Sequence, residues 1–408
     1  MSEIEASRAL PKPAPGATPT AVVLSGGGAR AAYQVGALRA VARILGRRHP
    51  LPFRVITGTS AGALNAATLA VNAEQWRRGV ARLVRLWRGI AVGDVYKAEF
   101  PSVAFHGMRW LASVLIGGRG PARAASMLDN APLRALIERT LDLDRVPSCI
   151  RDGHLHALAI NATSYSSGQA VSFFDGVASI APWRRTRRRG VREALSYDHL
   201  LASTAIPFIF PAARIGDEYY ADGSMRQITP IAPALHLGAR RILVIAVGQF
   251  TGAAARQPMP GPAMYPSFAQ VAGHALSSIF LDNLGADFER LQALNHAWTL
   301  IPGDIQARHP EIAHVDALLL APSRDLGEMA LPHAERLPAG VRHLLRGLGG
   351  NSPRGASLLS YLMFDRIYCR ELLRLGYSDT MARADEIAAF LAGDQAQFLP
   401  LFPADLLL

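Results

Sequence analysis

The chain has 408 residues, half of them apolar, with 18% charged and 7% aromatic residues. That is ample for a large buried core, and it excludes a disordered chain, a collagen or a coiled coil as the global description. Lys and Arg number 43 against 32 acids, a formal charge of +11, which implies attraction to polyanions without choosing between nucleic acid and an anionic membrane surface.

Residues 1–20 carry Glu3, Glu5 and prolines from Pro11 to Pro15 with no apolar stretch, and read as a disordered leader that does not direct export. No run approaches the roughly 18 apolar residues of a spanning helix. Only Cys149 and Cys369 are present and no CxxC occurs, so neither a disulfide framework nor a structural zinc site is expected. These features point to the cytoplasm, with the inner membrane face as a place for peripheral attachment.

A short apolar strand, Ala21 to Ser25, runs into Gly26, Gly27 and Gly28, and a helical pattern follows from Ala29 to about Leu45. A second strand, Phe53 to Thr57, enters Gly58-Thr59-Ser60-Ala61-Gly62 and exits into a helix from Ala63 to about Val71. Two strand-turn-helix units in tandem predict a parallel sheet. Trp76, Val80, Leu83, Trp87 and Ile90 then recur at helical spacing among arginines, the pattern of a basic amphipathic helix that either caps a site at a membrane or packs its apolar stripe inward. Phe105 to Ile116 is an apolar continuation.

Further strands are expected at Leu155 to Ala162, Gln169 to Phe174, Tyr219 to Ala221, Arg241 to Val247 and Val315 to Ala321. Residues 21–250 therefore read as a three-layer α/β domain with a mainly parallel sheet, residues 251–263 as an Ala, Gly and Pro-rich linker, and residues 264–408 as a mostly helical region packing on it.

Gly58-x-Ser60-x-Gly62 between a strand and a helix has the form of a nucleophile elbow, where residues without bulk let a sharp turn project Ser60 outward. The alternative is an ordinary glycine-rich turn. A serine hydroxyl needs a base, and none of the 12 histidines sits in a catalytic setting. The glycines at 26–28, leading through Ala29 and Arg30 into a helix, would expose backbone N–H groups to an anion, either a phosphate or a tetrahedral oxyanion. The loop lacks both the last glycine of a dinucleotide fingerprint, with Ala31 there instead, and the Gly-Lys-Ser/Thr of a Walker loop.

The third element is Ala221-Asp222-Gly223-Ser224, preceded by Leu201-Ala202-Ser203-Thr204-Ala205-Ile206-Pro207-Phe208-Ile209-Phe210-Pro211. Alone, Asp222-Gly223 reads as a hairpin turn. In this order, however, the GGGxR loop, the GxSxG elbow and the Asp-Gly strand end resemble the patatin-like phospholipase family over roughly residues 21–248. The resemblance implies a patatin-like fold and a lipid acyl hydrolase with Ser60 as nucleophile and Asp222 as its base. It also implies that the backbone of Gly26, Gly27, Gly28 and Ala29 forms the oxyanion loop, with Arg30 pinning that loop or pairing with a carboxylate. Gly58, Gly62 and Gly223 would support the turns, with no metal and no cofactor. Ala31 departs from the family's usual glycine, a methyl expected to tighten the loop; Ser224 and Gln227 are smaller departures.

The implied partner is a lipid substrate, with an anionic membrane surface as a second candidate and no nucleic acid. Arg184, Arg185, Arg187, Arg188 and Arg189 form a basic run that reads as a solvated loop or as a contact for lipid phosphates. An acyltransferase using the same pair, or a silent lipid-binding protein, are the alternatives. The oligomeric state is not legible.

Overall fold

The computed structural model describes residues 18–47, 49–99, 126–227, 229–249, 283–309, 313–347 and 355–393, with Met108 and Val271 isolated between them. The leader, the apolar stretch from Phe105 to Ile116, the linker and the tail after residue 393 thus lie outside the described residues, apart from single positions.

Ten strands form one sheet: β1 (Thr20–Leu24), β2 (Val55–Thr59), β3 (Ala157–Ser164), β4 (Ala170–Gly176), β5 (Trp183–Arg185), β6 (Arg188–Arg192), β7 (Ala213–Ile215), β8 (Glu218–Asp222), β9 (Arg241–Ile245) and β10 (Asp316–Leu320). Their order is β10-β9-β1-β2-β3-β4-β6-β5, with β8 also on β3 and β7 on β8. From β10 to β3 every pair is parallel. β4 and β8 both run antiparallel to β3.

The parallel strands are short apolar runs buried on both faces, as expected of a sheet covered on both sides. One face, with Val22, Leu24, Ile56, Leu158, Ile160, Leu243 and Ile245, belongs to the larger core. Over it lie α1 (Ala32–Ile44), α2 (Ala61–Ala70), α3 (Trp76–Gly89), α4 (Tyr197–Ser203), α5 (Ala356–Leu362) and α6 (Arg366–Ala382). The other face, with Ala21, Val23, Val55, Ala159, Ile242 and Val244, packs on the helices Ala232–His236 and Asn283–Thr299. This is a three-layer, mainly parallel α/β fold with a largely helical C-terminal region.

Two readings of the sequence resolve in specific ways. The apolar stripe of α3 (Trp76, Val80, Leu83, Trp87) is buried and packs on α1, α2 and α6, so the helix uses its stripe as core. The run Arg184 to Arg189 is a hairpin of β5 and β6 rather than a loop. The helix after the glycines begins as a 3-10 turn, Gly28–Ala31, before α1.

Candidate active site

The site is built where β2 stops. β3 is longer than β2: its residues 157–161 pair with β2, and its residues 162–164 pair with β8. β4 occupies the other edge, so β8 continues the line of β2, and its last residue, Asp222, arrives where Ser60 begins. Topology alone brings together two residues 162 positions apart in the chain.

Ser60 stands at the N-cap of α2 with φ 55 and ψ −131, one of three non-glycine residues at positive φ among those described. Such a backbone costs about 1–3 kcal/mol and persists only where neighbours over-determine it. Those neighbours are visible. The Ser60 N–H donates to Ser203 Oγ at 2.8 Å, and that hydroxyl donates on to the Asn161 carbonyl at 2.6 Å. A Cβ on Gly62 would lie 2.4 Å from the Leu24 carbonyl oxygen, and one on Gly58 2.6 Å from the Gly62 carbonyl oxygen. Only residues without side chains let α2 fold back so closely on the strand ends.

Asp222 is 1% exposed. Its Oδ1 accepts from the Ser224 N–H at 2.9 Å, capping the short turn Gly223–Met225, so Asp222-Gly223 is no hairpin turn. Oδ2 is buried without a hydrogen-bond partner. Burial pushes the carboxyl up to about 6, against the downward pull of the Ser60 and Ser224 side chains and the Ser224 backbone. The Ser60 hydroxyl is thus close enough to lower the carboxyl's pKa, although Oδ2 accepts no hydrogen bond. Loose contacts of this kind are usual in a site without substrate.

The glycine loop faces the same place. Gly28 has φ +55, and a Cβ there would lie 2.2 Å from the Tyr361 carbonyl oxygen. Gly27 packs equally tightly on the Val247 side chain. Among the described residues nothing accepts from the N–H groups of Gly27 and Gly28, leaving both able to donate to an anion. Arg30 is buried, and donates through Nε to Ser360 Oγ at 2.8 Å and through a terminal nitrogen to Ser357 Oγ at 3.1 Å, with its guanidinium 4.3 Å from the Tyr361 ring centre. It pins the loop to α5, with hydroxyls in place of a carboxylate. Ala31 keeps an ordinary right-handed backbone in the core, so its methyl does not strain the loop.

A narrow cavity of about 40 Å³ opens beside Ser60, lined by Gly28, Leu64, Trp87, Ile206, Tyr361 and Phe364 among others. At about 10–15 Å³ per water, it holds a few waters and admits an acyl chain only if aromatic side chains move.

Further residues complete the picture, of which the sequence reading passed over Asn161. Thr59 Oγ1 donates to Gln227 Oε1 at 2.7 Å and accepts from Asn161 Nδ2 at 3.1 Å; Asn161 Nδ2 also donates to the Gly58 carbonyl at 3.1 Å, and Asn161 Oδ1 accepts from Ser172 Oγ at 2.7 Å. Ser203 and Ala205, whose carbonyl accepts from the Asp222 N–H at 2.9 Å, show why the segment before Asp222 has its small residues. A buried polar residue interrupting an apolar strand, as Asn161 does, was the available signal. Among the described residues no group of His, Cys, Asp and Glu could hold a metal ion, and no helix is long and apolar enough to cross a membrane.

A family model described as patatin-like phospholipase matches residues 22–235. Among solved structures, the crystal structure of VipD from Legionella pneumophila is similar to this chain at 12% identity with a TM-score of 0.34, covering 91% of this chain and 67% of that one. No curated protein matches.

Proposed function

The chain belongs to the patatin-like phospholipase family, and from that premise we propose that it is a serine lipid acyl hydrolase working through a Ser60/Asp222 dyad. Ser60 Oγ attacks the ester carbonyl of a fatty-acyl lipid, and Asp222 Oδ2 takes the hydroxyl proton. The N–H groups of Gly27 and Gly28 stabilise the tetrahedral oxyanion. Asp222 returns the proton to the leaving alcohol, and a water activated by the same carboxylate then hydrolyses the acyl-Ser60 ester.

The observation that carries this reading is Ser60, held at φ 55 beside a buried carboxylate with one oxygen unpartnered. A carboxyl raised to about 6 is ionised at neutral pH and is more basic than an ordinary aspartate, as a direct general base requires. The apolar lining of the adjacent cavity suits a fatty-acyl chain.

The test is fatty-acid release from mixed phospholipid vesicles and from a short soluble ester by wild type, Ser60→Ala and Asp222→Asn. Both variants should fall by roughly a thousandfold or more with folding intact, and a fluorophosphonate should label wild type but not Ser60→Ala. An unlabelled Ser60 with activity absent throughout would favour a silent lipid-binding protein. A faster transfer to an added alcohol than to water would make the chain an acyltransferase.

A further inference from the structure

A concentration of uncompensated charge lies behind the elbow, on the face of the sheet opposite α2. Along β3, Leu158 and Ile160 face the core under α2, whereas Ala157 and Ala159 face the other way, and by strand alternation Asn161 faces with them. A cavity of about 200 Å³ opens on that side, lined by Asn161, Ser172, Trp183, Gln227 and His236 together with Arg187, Arg188, Arg226 and Arg290. It is several times larger than the cavity at Ser60.

Neighbouring arginines are bonded through their terminal nitrogens, the buried Nε of Arg189 being unpartnered like that of Arg188. Arg189 bonds Glu218 at 3.2 Å, and Arg192 donates to the Gly176 and Val177 carbonyls at 2.7 and 2.9 Å. The cavity's own set differs. Arg187, held at φ 59 at the turn of the hairpin, and Arg226 have no acidic partner among the described residues. Arg188 donates to Thr229 Oγ1, but its buried Nε has no partner. Arg290 reaches Asp287 only at 3.8 Å, and that carboxylate is buried and occupied by the Ile231 N–H at 3.0 Å. Four guanidinium groups therefore share one acid. Burial, aided by Arg185 and Arg188, holds the His236 imidazole down at about 4, so it adds no charge and stacks as a neutral ring on Trp183, with centroids 4.7 Å apart.

We propose that this cavity is an anion site for a phosphate-bearing ligand, held by Arg187, Arg188, Arg226 and Arg290 and separate from the acyl cavity. Guanidinium forks match phosphate oxygens two at a time, and a set of four exceeds what one carboxylate needs. The unpartnered Nε of Arg188 is the kind of buried donor that a ligand oxygen satisfies. The wall of the site is also the back of the elbow, since Gln227 and Asn161 both bond Thr59, the residue before Ser60. The phosphate arrives either on a soluble ester or on a lipid head group.

The experiment is calorimetric titration of the full chain with inorganic phosphate and with glycerol phosphate, beside sedimentation with phosphatidylcholine vesicles with and without phosphatidic acid. Both soluble anions should bind the wild type. Arg226→Gln/Arg290→Gln should bind them at least about tenfold more weakly, since a lost charged hydrogen bond is worth that much or more, with its thermal midpoint and soluble-ester activity unchanged. Arg78→Gln/Arg85→Gln, an equal loss of charge on the exposed side of α3, should bind as the wild type does. Cosedimentation that needs phosphatidic acid and is lost in the first variant assigns the site to a head group; soluble binding without cosedimentation assigns it to a soluble ester. No binding of either anion at millimolar concentration, or an equal loss in both double variants, overturns the proposal.

Discussion

The two halves of the chain make contact with the candidate site in opposite ways. Residues before 250 supply it with hydrogen-bonding groups on strand ends: Ser60, Asp222, Asn161, Thr59 and the glycine loop. Residues after 315 supply backbone and bulk, and, of side-chain hydrogen-bonding groups, the Ser357 and Ser360 hydroxyls that hold Arg30. β10 only extends the sheet beside β9, α5 presses the Tyr361 carbonyl against Gly28, and α6 lies on α1 at two glycines. There, a Cβ on Gly36 would sit 2.2 Å from the Leu373 carbonyl oxygen, and one on Gly376 2.1 Å from that of Tyr33. The proposed chemistry is thus local to one half, while the shape of the site depends on a seam of contacts with the other.

The sharpest way to break this division is at Gly28, which belongs to both halves. Gly28→Ala meets a left-handed backbone and a carbonyl oxygen at 2.2 Å, so either the loop or α5 must shift. Displacing one oxyanion donor lowers turnover by about 10²–10³. The expected outcome is that loss in kcat on a soluble ester, with fluorophosphonate labelling of Ser60 slowed in proportion.

At Asp222 stability and activity make opposite demands. Its carboxyl, raised to about 6 from an ordinary 3.8, binds its proton more tightly in the folded chain than in the unfolded one. Stability linked to this group is therefore fully present below about pH 4 and is lost as pH rises through about 6, while activity rises over the same window because the base must be ionised. Asp222→Asn should accordingly be inactive yet more stable by up to about 3 kcal/mol above pH 7, with the difference vanishing near pH 4. Urea midpoints of both proteins across that range check it, and a wild type whose rate does not rise near pH 6 would count against Asp222 as the base.

The helix seam gives a prediction about fold alone. Gly376→Ala gains about 1 kcal/mol of helix propensity but forces a methyl into backbone, and overpacking of this kind costs about 1–3 kcal/mol or more; a net loss near 2 kcal/mol is expected in denaturant unfolding. Gly89→Ala, at the end of α3 with nothing within 4 Å of its Cβ, should be neutral or slightly stabilising. The pair separates a glycine required by packing from one that is not.

This same seam marks where the sequence stops being legible. The elbow, the glycine loop and the Asp-Gly end were readable because each is a local run whose turn chemistry restricts residue type, and the apolar strands beside them predicted a parallel sheet without its order. Arg30 was readable only as a charge, since its partners Ser357 and Ser360 lie some 330 residues on. β5 and β6 escaped notice because arginine fills positions where a strand usually shows alternation. Gly36 and Gly376 did leave a signal: a glycine inside an otherwise good helix asks for a reason, and that reason is a partner helix no local pattern names. Thr59 and Asn161 were not singled out, since each acts by bonding its neighbours, and Gln227 was noted only as a departure from the family's pattern.

The smallest effect tests whether the C-terminal half shapes substrate choice. Phe364 walls the cavity at Ser60 and stacks on Trp87 with ring centres 6.3 Å apart, and the cavity it closes is too small for an acyl chain. Phe364→Leu keeps an apolar residue but removes the ring, freeing Trp87 to swing. One such change in an apolar pocket is worth about 1–3 kcal/mol of discrimination, and the lower end applies because the ring must already move when substrate enters. The ratio of kcat/KM for a long-chain ester over a short one should rise by roughly fivefold, with the short ester itself nearly unaffected because the groups that cut it belong to the other half. A fall in both rates together would mean that Phe364 supports the oxyanion loop through α5, and that the two halves share the chemistry as well as the shape.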